Sequence, residues 1–485
     1  MNKKRAISAI LAILLVAPIV LYAATNFGGN SPANTMRFGY VSAGAHHVLL
    51  VHYDGSLWAW GDYRHGRLGF DASEYQTSPA RVGDSYGWAS VSAGASHSLA
   101  IKQNGSLWTW GINLSDTLAV WPPQIHYEPV RIGDSYEWAS ISAGSVYTLG
   151  IKTDGSLWGW GVGTHGQLGI YPPINRHPTR IGELYNWKSI SAGEQHSLAI
   201  QADGSLWAWG ANTSGQLGNG TNVASFVPIH IGVGYEWKIA QAGSSFRFSV
   251  AIRADGSLWA WGQDIGAATG VIPSQSLVPV RIGDSYQWSF VSAGGTHASA
   301  IKSDGSLWAW GVNPDGRLGA ASENTLVPVR VRADYNWARV SAGFAMTMGI
   351  RTNGDLYGWG GNRRGEVGDG TGGVWTGAND RRSPVFLKQG SREILVYFVT
   401  EKGFIIDEIG RTTYLYFNML NAPDLDADGV ATYFDVEGLP CGVEYNIERV
   451  PFNVDDGMDD GTVLFRMILT VLGEIHLGRE NCECD

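Results

Sequence analysis

Cysteine is nearly absent. Three in 485 residues are too few for the disulfide framework of a small secreted domain and too few for a four-thiolate zinc site. Charge is scarce as well: Asp, Glu, Lys and Arg make up 16% of the chain, against roughly 25% in an average globular protein. The basic side is the poorer one, with 34 Lys and Arg against 44 Asp and Glu. A net charge of −10 offers no basic footprint for phosphates, which excludes a general nucleic-acid binder. No segment between Tyr40 and Pro384 sustains a 3.6-residue apolar period, so a solenoid of helices is excluded. Gly-x-Ser-x-Gly, His-Glu-x-x-His, the phosphate-binding P-loop and the dinucleotide fingerprint are all missing in the setting each needs. What the chain has instead is turns and aromatics: 65 Gly, 21 Trp and 20 Tyr. That balance points to many short strands.

The two ends differ from the middle. Lys3, Lys4 and Arg5 precede 19 uncharged, mostly apolar residues, Ala6 to Ala24, with small residues at Ala23 and Ala24. Residues 1–24 therefore read as a signal peptide or an N-terminal membrane anchor, with a buried core segment as the plainer alternative. On either of the first two readings the body of the protein lies outside the cytoplasm, in the medium, the periplasm or the cell envelope. At the other end, Ser391 to Asp485 holds 19 Asp and Glu against 6 Lys and Arg, which sets residues 391–485 apart as an acidic unit.

The middle is one unit written seven times. Asp-Gly-Ser-Leu-Trp-Ala-Trp-Gly begins at Asp54, and variants begin at Asn104, Asp154, Asp203, Asp255, Asp304 and Asn353, in steps of 49 to 52 residues. Ser-Ala-Gly precedes each copy, at Ser42, Ser92, Ser142, Ser191, Ser292 and Ser341, with Gln241 in place of Ser once. Within one unit, Trp288 to Ser292, His297 to Lys302, Leu307 to Trp310 and Val327 to Val331 read as strands. Asp304-Gly305 supplies the hairpin turn between the second and third. Four strands per period of about 50 residues make a propeller blade, and seven blades make a ring. The fold expected is all-β: a seven-bladed β-propeller over residues 37–388, followed by a small acidic β domain.

These residues resemble the regulator of chromosome condensation repeat family. The carrying motif is Ser-Ala-Gly-x-x-His-Ser-Leu-Ala-Ile-Lys-x-Asp-Gly-Ser-Leu-Trp-Ala-Trp-Gly followed by Gly-Gln-Leu-Gly, as in Gly166 to Gly169 and Gly215 to Gly218. That last element is degraded in blade 2 (Asp116 to Ala119) and blade 5 (Gly266 to Thr269). The Trp-rich wording is similar to bacterial, exported members. The resemblance implies the fold; function has to be sought in the sites.

Nineteen of the 21 Trp fall in repeat register, which suits packing between blades. His47, His97, His196 and His297 recur after Ser-Ala-Gly, with Tyr147, Phe246 and Met346 standing in for them in blades 3, 5 and 7. Met and Phe as substitutes suit packing, and equivalent points on separate blades do not converge on a metal. The residues that break the pattern are the candidate site. Blades 2 and 3 share an aromatic-Pro-Pro loop, Trp121-Pro122-Pro123 and Tyr171-Pro172-Pro173, with Tyr127 close behind the first. Trp375 is the other indole outside the register. Rigid exposed aromatics are what an interface anchor needs, so Trp121, Tyr127, Tyr171 and Trp375 are the candidate partner-binding residues; capping of their own blades is the alternative.

In the acidic unit, Asp424, Asp426, Asp428, Thr432 and Asp435 place oxygens at positions 1, 3, 5, 9 and 12 of a loop with Gly429 at position 6. This is the spacing of a Ca²⁺ loop, with Asp435 where a bidentate Glu would normally stand; a solvated acidic turn is the alternative. Cys441 can pair with Cys482 or Cys484 in an oxidising compartment; a Cys441–Cys482 disulfide is expected, with free thiols as the alternative. The function expected is an exported, non-catalytic, monomeric interaction module that meets a protein partner on a propeller face and needs no cofactor beyond that Ca²⁺. Secreted enzyme action on a polymer and guanine-nucleotide exchange are the alternatives.

Overall fold

The repeated Asp-Gly-Ser-Leu-Trp string builds its own turn. In blade 6, Asp304 Oδ1 accepts from both the backbone N and the Oγ of Ser306, at 2.8 and 2.6 Å, and Ser306 Oγ in turn accepts from Trp308 Nε1 at 2.9 Å. Gly305 takes the left-handed conformation that the turn requires (φ 78°). Around this turn the chain folds into four consecutive antiparallel strands, Trp288–Ala293, His297–Lys302, Leu307–Gly311 and Thr325–Arg330. The pattern recurs in seven four-stranded sheets, which form a seven-bladed β-propeller. The structure is a computed structural model. It describes residues 39–388, apart from 53, 114–116, 121–123, 246, 264–274, 321–322, 334–335 and 374–376, and beyond them four strands within 396–471.

The first strands of successive blades touch one another and surround the axis, and the fourth strands form the rim. Each rim strand is the outer edge of its sheet, and each carries a proline, as at Pro79, Pro129, Pro178, Pro228, Pro279, Pro328 and Pro384. A missing N–H is tolerated at an edge and blocks pairing with a further strand there.

The apolar core is divided among the seven seams. The seam of blades 1 and 2, for example, buries Leu49, Leu57, Ala59 and Leu68 of one against Val91 and Trp110 of the other. The ring closes the same way: Val48, Leu50 and Trp60 of blade 1 pack on Met346, Met348 and Ile350 of blade 7, with no strand exchanged between the ends. In blades 1 to 6 the third strand carries two indoles, and these have different tasks. Trp60, Trp110, Trp209 and Trp261 are fully buried in the seams, and each donates its N–H to a backbone oxygen of the preceding blade, Glu366, Arg67, Gln167 and Gln216, at 2.8–3.0 Å. In blades 2 to 6 the other indole meets the Trp of its own blade's first strand edge-on, as Trp108 meets Trp88 at 5.8 Å, under the ammonium of Lys102.

Val396–Tyr397, Thr412–Met419, Val443–Arg449 and Val463–Val471 pair into a separate four-stranded sheet, the fourth strand lying between the second and third. Residues 1–24 lie outside the described residues.

Candidate functional site

Because second and third strands run antiparallel, the turn before the one and the loop after the other emerge at the same end of the blade. His47 stands opposite Gly61, and Asp62 N donates to His46 O at 2.8 Å. The variable loops therefore all belong to one face of the ring, the loop face.

Most repeated polar residues are consumed inside the ring. His47 meets Ser98 Oγ of the next blade at 2.8 Å, and His97, His196 and His297 meet Thr148, Ser249 and Thr347 in the same way at 3.2, 2.9 and 2.8 Å. Tyr147 reaches Ser197 at 2.8 Å. Burial holds the imidazoles of His97 and His196 down at about 4 and those of His47 and His297 well below the usual value, so all four are neutral packing groups. In blade 5 the register differs from that expected. Phe248, not Phe246, lies opposite the strand-ending glycine (Gly262) as His47 lies opposite Gly61, because the turn there is two residues longer. The pairing is matched in polarity: at the equivalent seam positions, apolar Phe248 goes with Ala298 and Met346 with Val48.

One repeated position breaks this neutrality. Gln167 and Gln216, in the Gly-Gln-Leu-Gly element, are buried and accept from the backbone N–H of His165 and Ser214, both at 2.9 Å. In the adjacent blades 6, 7 and 1 the same position holds Arg317, Glu366 and Arg67, equally buried. Arg317 and Glu366 line a cavity of about 290 Å³ on the loop face, with His46, Asp315, Phe344, Arg363 and Arg364, and Arg67 lies behind it, 3.8 Å from Asp62. Arg317 Nη1 donates to Thr296 Oγ1 at 2.6 Å and to Phe344 O at 3.2 Å, its Nη2 pairs with Asp315, and its Nε has no hydrogen-bond partner.

Behind the cavity Asp62 is completely buried; the residues that make the same backbone bond to the preceding turn in blades 2, 4, 6 and 7 are Ile112, Ala211, Val312 and Gly361. Burial works against its ionisation, but hydrogen bonds from Arg64 and the charge of Arg67 hold its carboxyl below the usual range. Arg64 and Arg364 lie 2.6 and 3.4 Å away. Burial pushes Glu366 up to about 7, more than the Arg364 backbone N–H and guanidinium lower it, and the Asp62 charge adds to the rise. His46 is held down at about 4 by burial and by Arg364 and Arg67. Arg64, Arg67, Arg317, Arg363 and Arg364 thus face Asp62, Asp315, Asp380 and Glu366, the last half-neutral at pH 7, and the site is electropositive on balance.

Of the candidates from sequence, Tyr171 is 92% exposed and Tyr127 45% exposed. The Tyr171-Pro172 bond is cis, and Asn175 Nδ2 donates to Pro172 O at 2.6 Å. Trp121 and Trp375 lie outside the described residues, as do Asp424, Asp426, Asp428, Thr432, Asp435, Cys441 and Cys482. Among the described residues, no group of His, Cys, Asp and Glu could hold a metal ion. The charged cluster escaped sequence reasoning. Its signal was the second residue of each Gly-x-Leu-Gly element, or Gly-x-Val-Gly in blade 7, which reads Arg67, Gln167, Gln216, Arg317 and Glu366 once the blades are aligned.

The RCC1-like domain model matches residues 24–298, more than half of the chain, and regulator of chromosome condensation (RCC1) repeats match residues 304–350 and 337–366. The chain belongs to the RCC1-like domain family. The RCC1-like ring is similar to human WBSCR16, at 19% identity and a TM-score of 0.61 over 70% of this chain and 96% of that one. It is similar also to Prp20p of Saccharomyces cerevisiae, at 19% identity and a TM-score of 0.62 over 75% and 90%. That protein is described with its binding to Gsp1p and histones, and a second structure holds the yeast RCC1 (Prp20) bound to Kap60. At these identities the likeness is one of fold. No curated protein matches the chain.

Proposed function

We propose that this RCC1-like chain is an exported, non-catalytic interaction module that receives a protein partner on its loop face. The observation that carries the reading is the division of labour among residues. Repeated Trp, His and Ser are spent on seams and turns, so only the irregular loops are free to recognise anything. Tyr171, almost fully exposed beside two prolines, has the rigidity and area of an anchor. Asp62 is locked by guanidinium groups behind the cavity, which argues against its use in proton transfer. The yeast relative's partners, Gsp1p, histones and Kap60, support a protein as the class of ligand. Lys3, Lys4, Arg5 and the apolar run after them support export.

The test is a pull-down from the envelope and extracellular fractions with the wild type and with Tyr171→Ala combined with Trp121→Ala. Loss of partners by the double variant, which keeps the wild-type melting temperature, is expected. Equal recovery by both would remove the aromatic loops from the interface, and finding the protein in the cytoplasm would overturn export.

A further inference from the structure

We propose that the cavity between blades 6, 7 and 1 is a docking site for an acidic side chain carried on a peptide segment of the protein partner; this rests on the interaction-module reading above. Three observations converge on it. First, the charges are placed where the fold asks for none. Glutamine meets the same buried position in blades 3 and 4 with backbone hydrogen bonds alone, from the His165 N–H and to Val162 O for Gln167 and from the Ser214 N–H for Gln216. Glu366 keeps the equivalent bond, from the Arg364 N–H at 2.6 Å, but the guanidinium groups of Arg317 and Arg67 bring buried charge that this turn does not require, and burying charge is costly.

Second, the positive groups are unequally used. Asp62 engages Arg64, Arg67 and Arg364 from behind. Arg317 keeps an unpartnered Nε although only 6% of the residue is exposed. Arg363, on the exposed lip of the cavity, makes no side-chain hydrogen bond among the described residues. A carboxylate entering the cavity would meet a planar donor fork at its lip, the geometry that favours Arg–carboxylate pairing.

Third, the wall is not only charged. Phe344, 36% exposed, stands 5.8 Å from the His46 ring across the closing seam, and Ala45, Ala345 and Met346 continue the apolar surface. His46 is neutral and adds no further charge. A free inorganic anion has nothing to place against that wall, whereas an acidic residue flanked by an apolar one covers both parts.

The experiment uses the full chain and a fluorescein-labelled octapeptide of alternating Glu and Phe, followed by anisotropy. A Lys-Phe counterpart, inorganic phosphate as competitor, and the variants Arg363→Glu and Lys188→Glu complete it. Saturable binding of the Glu-Phe peptide is expected, weakened about tenfold or more by Arg363→Glu, unchanged by Lys188→Glu on the exposed surface of blade 4, and reduced by raising the salt. Equal binding of the Lys-Phe peptide, or full binding by Arg363→Glu, would overturn the proposal. Displacement of the peptide by millimolar phosphate would make the cavity an inorganic anion site instead, which also overturns it. Should the peptide fail while wild type and Arg363→Glu capture the same partners, the cavity proposal falls and the interaction-module reading stands. Capture of no partner by the wild type would remove the broader reading.

Discussion

Single side chains in this ring are chosen in pairs across the seams. A histidine that reaches the next blade finds Ser98, Thr148, Ser249 or Thr347, while Phe248 and Met346 are matched by Ala298 and Val48. A buried hydroxyl without its partner would cost about 1–3 kcal/mol, so each polarity has to change on both sides together. Glu366 departs from this economy. Its carboxyl is ordinarily at 4.5 and is raised to about 7 in the folded ring, facing Arg364, Arg67, Asp62 and His46. Below the unfolded value both states are protonated and nothing is lost; as the pH rises toward 7 the unfolded chain ionises first and stability falls, levelling off above it. Glu366→Gln, which restores the residue of blades 3 and 4, is therefore expected to stabilise the protein at pH 8 by up to ~3 kcal/mol and to have no effect at pH 4. Urea unfolding at the two pH values checks this; a gain independent of pH would show that the carboxyl is not held neutral.

At the scale of the element, the first strand of each blade does more than line the axis. The Ser of Ser-Ala-Gly accepts from the backbone N–H of the Ala in the following blade, as Ser42 does from Ala93 and Ser191 from Ala242, both at 3.0 Å. Ser341 closes the circle onto Ala43 at 2.9 Å. Six of the seven seams carry this clasp; the seam of blades 5 and 6 has Gln241 in that place. Gln241→Ser should supply the seventh and raise stability by ~0.5–1.5 kcal/mol, read from the urea midpoint. A loss would show that Gln241 makes a contact that serine cannot replace. The next element outward leaves less freedom. A Cβ on Gly218, which already sits at φ 75°, would come within 2.7 Å of Trp261 Nε1, so the glycine and the indole it admits are fixed together.

For the whole molecule, the question is whether seven blades make a closed ring or an open arc. The seam of blades 7 and 1 carries the same indole, the same serine clasp and the same apolar packing as the internal seams. Trp60→Ala at the closing seam is then expected to cost as much as Trp209→Ala at an internal one, ~3–5 kcal/mol each. Melting temperatures of the two variants give the comparison. A much smaller loss at Trp60 would mean that the ring is open there. A closed, rigid ring holds Tyr171 and the charged cavity at fixed positions on one face, where a partner can meet them without ordering loops first.

The number of blades, their four strands and the internal use of Trp and His were legible in the sequence, because each repeat writes the same local physics: an Asp-Gly or Asn-Gly turn, short apolar strands on either side of it and a serine that relays the turn to an indole. Strand limits in blade 6 agree with those expected to within two residues. The register of blade 5 was not legible, since two additional turn residues shift Phe248 into a place that counting assigns to Phe246. Nor was the charged cavity. Arg317, Glu366 and Arg67 are 49 and 299 residues apart along the chain, and only closure of the ring makes blade 1 the neighbour of blade 7. Sequence periodicity is local, so it determines what each blade is; which irregular residues meet is decided by the circle, which brings the two ends of the repeat array together.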